Sequence, residues 1–463
     1  MTEQATTDPA AGARALAEAF AARRADLPGA GLPWLDALRA GAIEAFAATG
    51  FPGVRVEEWK YADLNPLAGT AFVPARPRTN GIDAGGAAAL GPVEAPCHRL
   101  TFVNGTLRPD LSDLDGLPDG VTVAGLADAL AARPDLIEAH LLDPRGLEEA
   151  RLSGRRDKRP FALAALNAAL AADGAVVEVA PGVALDRPLH LQYLAMPGAE
   201  PEMSHPRNLI LLGDGASATI LESYGSAGPG VYWTNAVTQI ALGRGAALAY
   251  LKHQAEGADA FHVGAVYATV ERDARLSSFL FASGAHRARD EMRVRLAGEG
   301  ANCRMDGIYL ARGRQNLDIW TRVDHVRPHG ATAETFKGVV AGSASAAFQG
   351  KIHVAEGAAR TDARQLNRNL LLTDTARATS KPELEILTDD VKCAHGSTVG
   401  DLDRAALFFL RARGLDEAQA RRIMIEAFIA DELEAVADPA LRGYFRAAAE
   451  GWLAAELAEE AGR

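Results

Sequence analysis

The chain has 463 residues and a mass of 48.7 kDa, about three times a typical ~150-residue domain, so two or three structural units are expected. Hydrophobic residues at 48% and charged residues at 23% sit near globular averages and exclude a disordered chain as the starting expectation. With 48 basic against 60 acidic residues, a net charge of −12, the surface repels phosphate backbones and anionic lipid headgroups, so neither nucleic acid nor a membrane is expected as a partner.

Three cysteines, Cys97, Cys303 and Cys393, cannot staple so long a chain and point to a reducing compartment. The opening MTEQATTDPA lacks the basic stretch leading into an apolar one that marks a secretory signal, and no later run reaches the ~20 apolar residues of a membrane span. A cytoplasmic location is the expectation.

The first unit, 1–173, reads as mixed and mainly helical. Ala-rich helical period covers 13–24, and 33–49 has Pro33 at its start and Gly50 at its stop, the expected asymmetry of helix ends. A loop-rich stretch with EEWKY at 57–61 follows, and helical pattern returns at 124–132 and 160–172. From 174 to 400 the period becomes two. Short alternating runs occur at 176–183, 208–212, 219–223, 237–242, 263–270, 292–296, 317–323, 352–354 and 384–387, which read as strands.

A tight-turn unit recurs between them: GDGA at 213–216, GRGA at 243–246, RDA at 272–274, GEGA at 298–301, HGA at 329–331 and EGA at 356–358. Its alanines, Ala216, Ala246, Ala274, Ala301, Ala331 and Ala358, are 30, 28, 27, 30 and 27 residues apart. A coil of that length holds several short strands but no crossover helix, so the period predicts a solenoid of stacked parallel strands rather than a β-sandwich. From 401 to 463 helical period returns, with a helix over 403–413 and Gly414 past its end. A capping-box-like DEAQ at 416–419 precedes an apolar face of Ile423, Met424, Ala427 and Phe428, and a last helix opens at Pro439. These faces either pack on one another or dock a partner.

The commonest strong catalytic motifs, a phosphate loop, HExxH, CxxC and GxSxG, are absent. One polar cluster, Asp318, Asp324, His325 and His329, would form a weak metal site if the two histidines shared a strand face. A second is Cys393 and His395 in DVKCAHG. At i and i+2 on a strand they point to one side, where a thiolate and an imidazole suit a soft metal. Two donors do not complete a site that wants about four, and Cys393 is equally readable as a buried small hydrophobe.

FQGKIHV at 348–354, QLNRNLLL at 365–372, KPELEI at 381–386, DDVKCAHG at 389–396 and EEWKYADL at 57–64 together resemble the SufB/SufD family of iron–sulfur cluster assembly scaffolds over essentially the whole chain. The resemblance implies a right-handed parallel β-helix between N-terminal and C-terminal helical regions. It further implies a non-catalytic scaffold subunit of a SufBCD-type complex, pairing with a SufB-like chain through the β-helix and recruiting a SufC-like ABC ATPase through the C-terminal helices. The resemblance places a transient iron–sulfur cluster or iron site at the subunit interface, with His395 as metal ligand and Cys393 beside it. ATP belongs to the partner ATPase only. Reduced flavin associates with the family complex, without a flavin motif to assign in this chain, and a homodimer is a second arrangement. ATPase docking is expected on 401–436, through Phe408, Phe409, Arg413, Ile423 and Phe428. SufB-like chains carry a cysteine where Leu410 stands here, so the resemblance is to the SufD-like side and an ability to build a cluster alone is not implied. The competing readings are a carbohydrate-active β-helix enzyme, which would use paired carboxylates in a groove, and a zinc-binding structural repeat protein.

Overall fold

The computed structural model describes residues 9–92, 95–141 and 161–461. From Leu189 to Asp401 the chain winds as a solenoid, laying one strand in each of two sheets per coil. One sheet contains Arg207–Leu212, Tyr232–Leu242, Phe261–Val270, Arg287–Leu296, Asn316–His325, Ser345–Val354 and Arg377–Ile386 in that order. The other runs from Leu189–Ala195 to Val391–Asp401. Neighbouring coils pair in parallel and in register, so one column of the second sheet reads Leu248, Leu276, Cys303, Thr332, Ala363, Cys393. The expected parallel solenoid is therefore present, with two strands of mostly 8 to 11 residues per coil instead of several short ones.

The repeat is real, but its frame differs at the end. Each corner of one edge has a residue in the left-handed region: Gly215, Gly245, Asp273, Gly300, His329 and Arg360, with φ between 58° and 69°. The residue after it points inward and is Ala216, Ala246, Ala274, Ala301, Gly330 and Thr361. Ala331 and Ala358 are thus out of frame, since Asn302 pairs with Ala331 and Ala331 with Asp362. What recurs is the backbone conformation, which Asp and His also tolerate. The corner itself lengthens from four residues at 243–246 to six at 355–360, which displaces the alanine pattern.

Alternate residues of both sheets face inward and form the main core. The two outer faces are covered differently. Helices Pro9–Arg23, Pro33–Thr49 and Ala162–Leu170 pack against Met203, Trp233, Phe261 and Val263 of the first sheet. Helices Glu417–Leu433 and Pro439–Ala461 cover Phe279, Phe281, Ile308, Leu310 and Val339 of the second. The helix expected over 124–132 begins at Leu126. Val121–Gly125 is instead a strand, antiparallel to Ala175–Val179, because β-branched Val121, Thr122 and Val123 add to a sheet edge there. Pro160, the expected start of the next helix, lies outside the described residues.

EEWKYADL is a clasp. Glu57–Trp59 forms a 3-10 turn, with Trp59 1% exposed and the Arg289 guanidinium 4.0 Å from its ring centre. Arg289 Nη2 donates to the Glu58 carbonyl at 2.7 Å, and Lys381 pairs with Glu57. The segment is therefore pinned across the first sheet as far as its last strand, Arg377–Ile386.

Candidate functional site

Strands Arg377–Ile386 and Val391–Asp401 make the last coil, and among the described residues each has a paired neighbour on one side only. Their other edges present backbone N–H and C=O groups without a strand partner, the usual template for adding a further strand. None of the residues in these two strands is buried. The solenoid therefore ends open, with its interior visible end-on.

In the strand beneath, Thr361, Ala363, Gln365, Asn367 and Asn369 face inward and are buried. Parallel register places Cys393 over Ala363, His395 over Gln365 and Ser397 over Asn367, so Cys393 and His395 share the inward rank, as their spacing requires. They differ in surroundings. Cys393 is half-buried against Ile352, Val354, Ala358 and Ala363, and burial pushes its thiol up. His395, which continues the same rank, is exposed at the rim. No group of three or more His, Cys, Asp or Glu able to hold a metal occurs among the described residues.

Below His395 the interior turns polar. Gln365 Nε2 donates to Glu334 at 2.6 Å. Asn367 Nδ2 donates to the Tyr309 hydroxyl at 2.9 Å, Tyr309 donates to Asn369 Oδ1 at 2.5 Å, and Asn369 Nδ2 donates to Asn367 Oδ1 at 2.8 Å. Burial raises the Glu334 carboxyl to about 7, against the hydrogen bond from Gln365 that lowers it. Space for these long side chains comes from inward glycines on neighbouring strands. A Cβ at Gly350 would meet Gln365 Nε2 at 2.1 Å, and one at Gly338 would meet Tyr309 Cε2 at 2.1 Å. Hydropathy hides this layer, because in RQLNRN at 364–369 the outward Arg364 and Arg368 are polar too; only the period-two alternation of amides hints at it.

The other histidine cluster does not assemble. Asp318 faces outward beneath the clasp and pairs with Arg289. Asp324 lies 2.7 Å from Arg322 and 3.3 Å from His353 and is held at about 2, burial opposing these partners. His325 is inward, 2.8 Å from the Thr332 hydroxyl, and burial lowers it to about 4. His329 stands on a corner at φ 62°, exposed, so the turn at 326–330 separates the two imidazoles that would have shared a strand face.

At the C-terminus Asp403 caps Arg404–Arg411, and Asp416 with Gln419 forms the capping box read from the sequence. The face turned to the sheet is Ala420, Ile425, Ile429 and Leu433, with Phe428 of the predicted face packed at its margin and Ile423 and Ala427 turned away. The helix is rotated because the sheet offers Leu310, Val339 and Leu370 as its bed. Ile423 is consequently 42% exposed, and on the preceding helix Phe408 is 75% and Phe409 53% exposed. The Arg413 guanidinium lies 3.3 Å over the Phe409 ring, while half-buried Phe428 is engaged by Lys337, 5.3 Å from its ring centre.

Residues 12–191 match the SufBD protein N-terminal region, and residues 194–428, more than half of the chain, match the SufBD core domain of SUF system FeS cluster assembly. The chain belongs to the SufB/SufD family. It is 31% identical over 416 residues to an iron–sulfur cluster assembly SufBD family protein of Synechocystis sp., covering 88% of this chain and 89% of that protein. It is similar to the iron–sulfur cluster assembly protein SufD of Escherichia coli, 29% identical over 407 residues, 86% and 89% of the two chains. SufD of Bacillus subtilis is 27% identical over 318 residues, 67% and 69% of the two. The SufBD core match spans the whole solenoid from Leu194 onward, the open coil, and the first C-terminal helices. No helix among the described residues is long and apolar enough to cross a membrane.

Proposed function

We propose that this SufBD family protein is the SufD-like scaffold subunit of a SufBCD-type complex. Its open last coil pairs with the corresponding coil of a SufB-like chain, and the iron–sulfur cluster, as product and cargo, forms at that junction with His395 as a ligand and Cys393 beside it. The observation that carries this reading is the uncapped coil: His395 occupies an inward rank that is buried at the same position in the coil beneath, and it is exposed only because no further coil covers it. A covering chain supplies the donors that this one lacks. The exposed Phe408, Phe409 and Ile423, with Arg413 bracing Phe409 and Phe428 behind them, dock a SufC-like ABC ATPase, which alone binds ATP; reduced flavin joins at the level of the complex. In this reading the N-terminal region, 1–173, supports the solenoid through helices on the first sheet and strands that close its starting end, 174–400 is the scaffold proper and 401–463 recruits the ATPase, all in the cytoplasm and without catalysis by this chain.

The test is anaerobic reconstitution with the SufB-like and SufC-like chains of the same cell, comparing wild type with His395→Ala. Iron and sulfide content should fall to background in the variant. Wild-type content would remove His395 from the mechanism. Capture of the ATPase should be lost from a chain ending at Gly400, and retention there would overturn the docking assignment.

A further inference from the structure

We infer that Gln365 and Glu334 are positioning residues for His395, with the Gln365 side-chain carbonyl as the acceptor that fixes the imidazole's tautomer. The inference deepens the proposed function and rests on His395 being a ligand at the open coil.

Glu334, Gln365 and His395 are consecutive members of one inward column, in pairs directly opposite in the parallel ladder, about 4.8 Å per step. Gln365 is 2% exposed and its side chain reaches across the interior to the space left by Gly350. Ionised, as it is above about pH 7, the Glu334 carboxylate only accepts hydrogen bonds, so it obliges the amide to present its NH2 group, and the 2.6 Å contact is made from Nε2. The carbonyl arm of the same amide is thereby turned away from Glu334. That oxygen, Gln365 Oε1, is buried and has no hydrogen-bond partner among the described residues.

A buried acceptor without a donor is costly to maintain, of order 1–3 kcal/mol, and calls for an explanation. The side chain next above it in the column is an imidazole. A histidine that ligates a metal through one ring nitrogen characteristically gives the N–H of the other to a carbonyl or carboxylate, which sets the tautomer and aims the ring. In this assignment Gln365 Oε1, which has no other donor among the described residues, takes that N–H when the ring turns inward over it, leaving the second nitrogen of His395 to face the junction. Glu334 acts through Gln365: above about pH 7, where the experiment is run, its charge stops the amide from turning over and presenting NH2 to the histidine, where two donors would meet. The Phe348-Gln349-Gly350 and Gln365 segments of the sequence thus serve the same site as DVKCAHG, although none of them reaches the rim.

The experiment uses the full-length chain with 15N-labelled histidine rings, the His395 signal being assigned by its loss in His395→Gln. Wild type should show a single neutral tautomer for His395, and Gln365→Met an averaged mixture of two. With Zn2+ alone as a diamagnetic probe, Gln365→Met should bind at His395 about ten-fold more weakly, the size expected for losing such a support. Glu334→Gln, nearly isosteric, frees the amide to turn and should move the His395 signal in the same direction. If Gln365→Met does not fold, Glu334→Gln decides alone. An unchanged His395 ring signal in the folded variants overturns the inference. A tautomer that shifts while neither wild type nor variant binds Zn2+ at His395 upholds the positioning pair and counts against the ligand reading, so the two fail separately.

Discussion

Gly350→Ala tests whether the polar layer under the open coil is as tightly built as its geometry states. The new methyl carbon would sit 2.1 Å from Gln365 Nε2, 2.7 Å from its Cδ and 2.8 Å from Phe348 Cζ, all below any distance that real side chains keep. Two responses are available. The strands can spread to admit the methyl, at about 1–3 kcal/mol for overpacking. Alternatively Gln365 swings aside and abandons its bond to Glu334, at about 1.5–3 kcal/mol for a hydrogen bond to a charged group. The cheaper of the two sets the loss at about 2 kcal/mol, measured by urea unfolding followed by tryptophan fluorescence at pH 7.5. In a double-mutant cycle, Gln365→Ala should reduce the cost of Gly350→Ala by about 1 kcal/mol, since the closest contact is then gone while Phe348 remains. A loss below about 0.5 kcal/mol for Gly350→Ala alone, or strict additivity in the cycle, would refute the close approach.

Trp59→Ala should cost about 3–5 kcal/mol, because it empties a fully buried aromatic site and strips the Arg289 guanidinium of its stacking partner; thermal unfolding that leaves the midpoint within a degree would contradict the clasp. Lys252→Met removes the ammonium 2.5 Å from Asp290 in the solenoid interior and leaves only His262, 3.5 Å away, beside the carboxylate, so it should destabilise by about 3 kcal/mol, the low end for a broken buried pair, a figure that urea midpoints check directly. Acid should weaken the fold through its buried histidines. Burial lowers His253 to about 4 and His190 and His205 to about 3, so the unfolded chain binds more protons than the folded one below about pH 6.5 and stability falls as pH drops from there toward 4. For His253 this is up to about 3 kcal/mol. The slope of unfolding free energy against pH between 6.5 and 4.5 should flatten in His253→Gln, and an unaltered slope would show that the imidazole under Tyr444 takes its proton in the folded state.

How much of this was legible in the sequence depended on whether a residue's environment leaves a mark on hydropathy. Helix Pro33–Thr49 and the capping box at Asp416 follow from local rules that act within one turn, and both occur where those rules put them. The coil period was legible through four alanines, then lost register when the corner grew and Gly330 and Thr361 took their place. Inwardness was the quantity that failed. Gln365, Asn367 and Asn369 look like a wet face, and their neighbours Arg364 and Arg368 look the same, so only the ladder to Phe336 and Glu334 shows which amides are inside. The reverse error occurred in Glu417–Leu433, where Ile423 has the apolarity of a core residue but the sheet chose Ile425 and Ile429. Motif resemblance reached the open coil without these distinctions, because it marks positions and is silent about which side of a strand they occupy.

The two ends of the solenoid are unlike. At the start, Thr106–Leu107 and Val121–Gly125 run antiparallel to their neighbours and bring the sheets to a stop, whereas the final coil is bare. A molecule with one blunt terminus and one adhesive terminus has a valence of one: when two such termini meet, each consumes the other and nothing is left to recruit a third. On the pairing proposed above, edge-to-edge growth, which in a solenoid exposed at both ends would run on into fibres, stops at a pair by topology alone. Because the adhesive strands are also the last of the solenoid to leave the ribosome, the chain acquires that single valence only after the rest of the coil exists to support it.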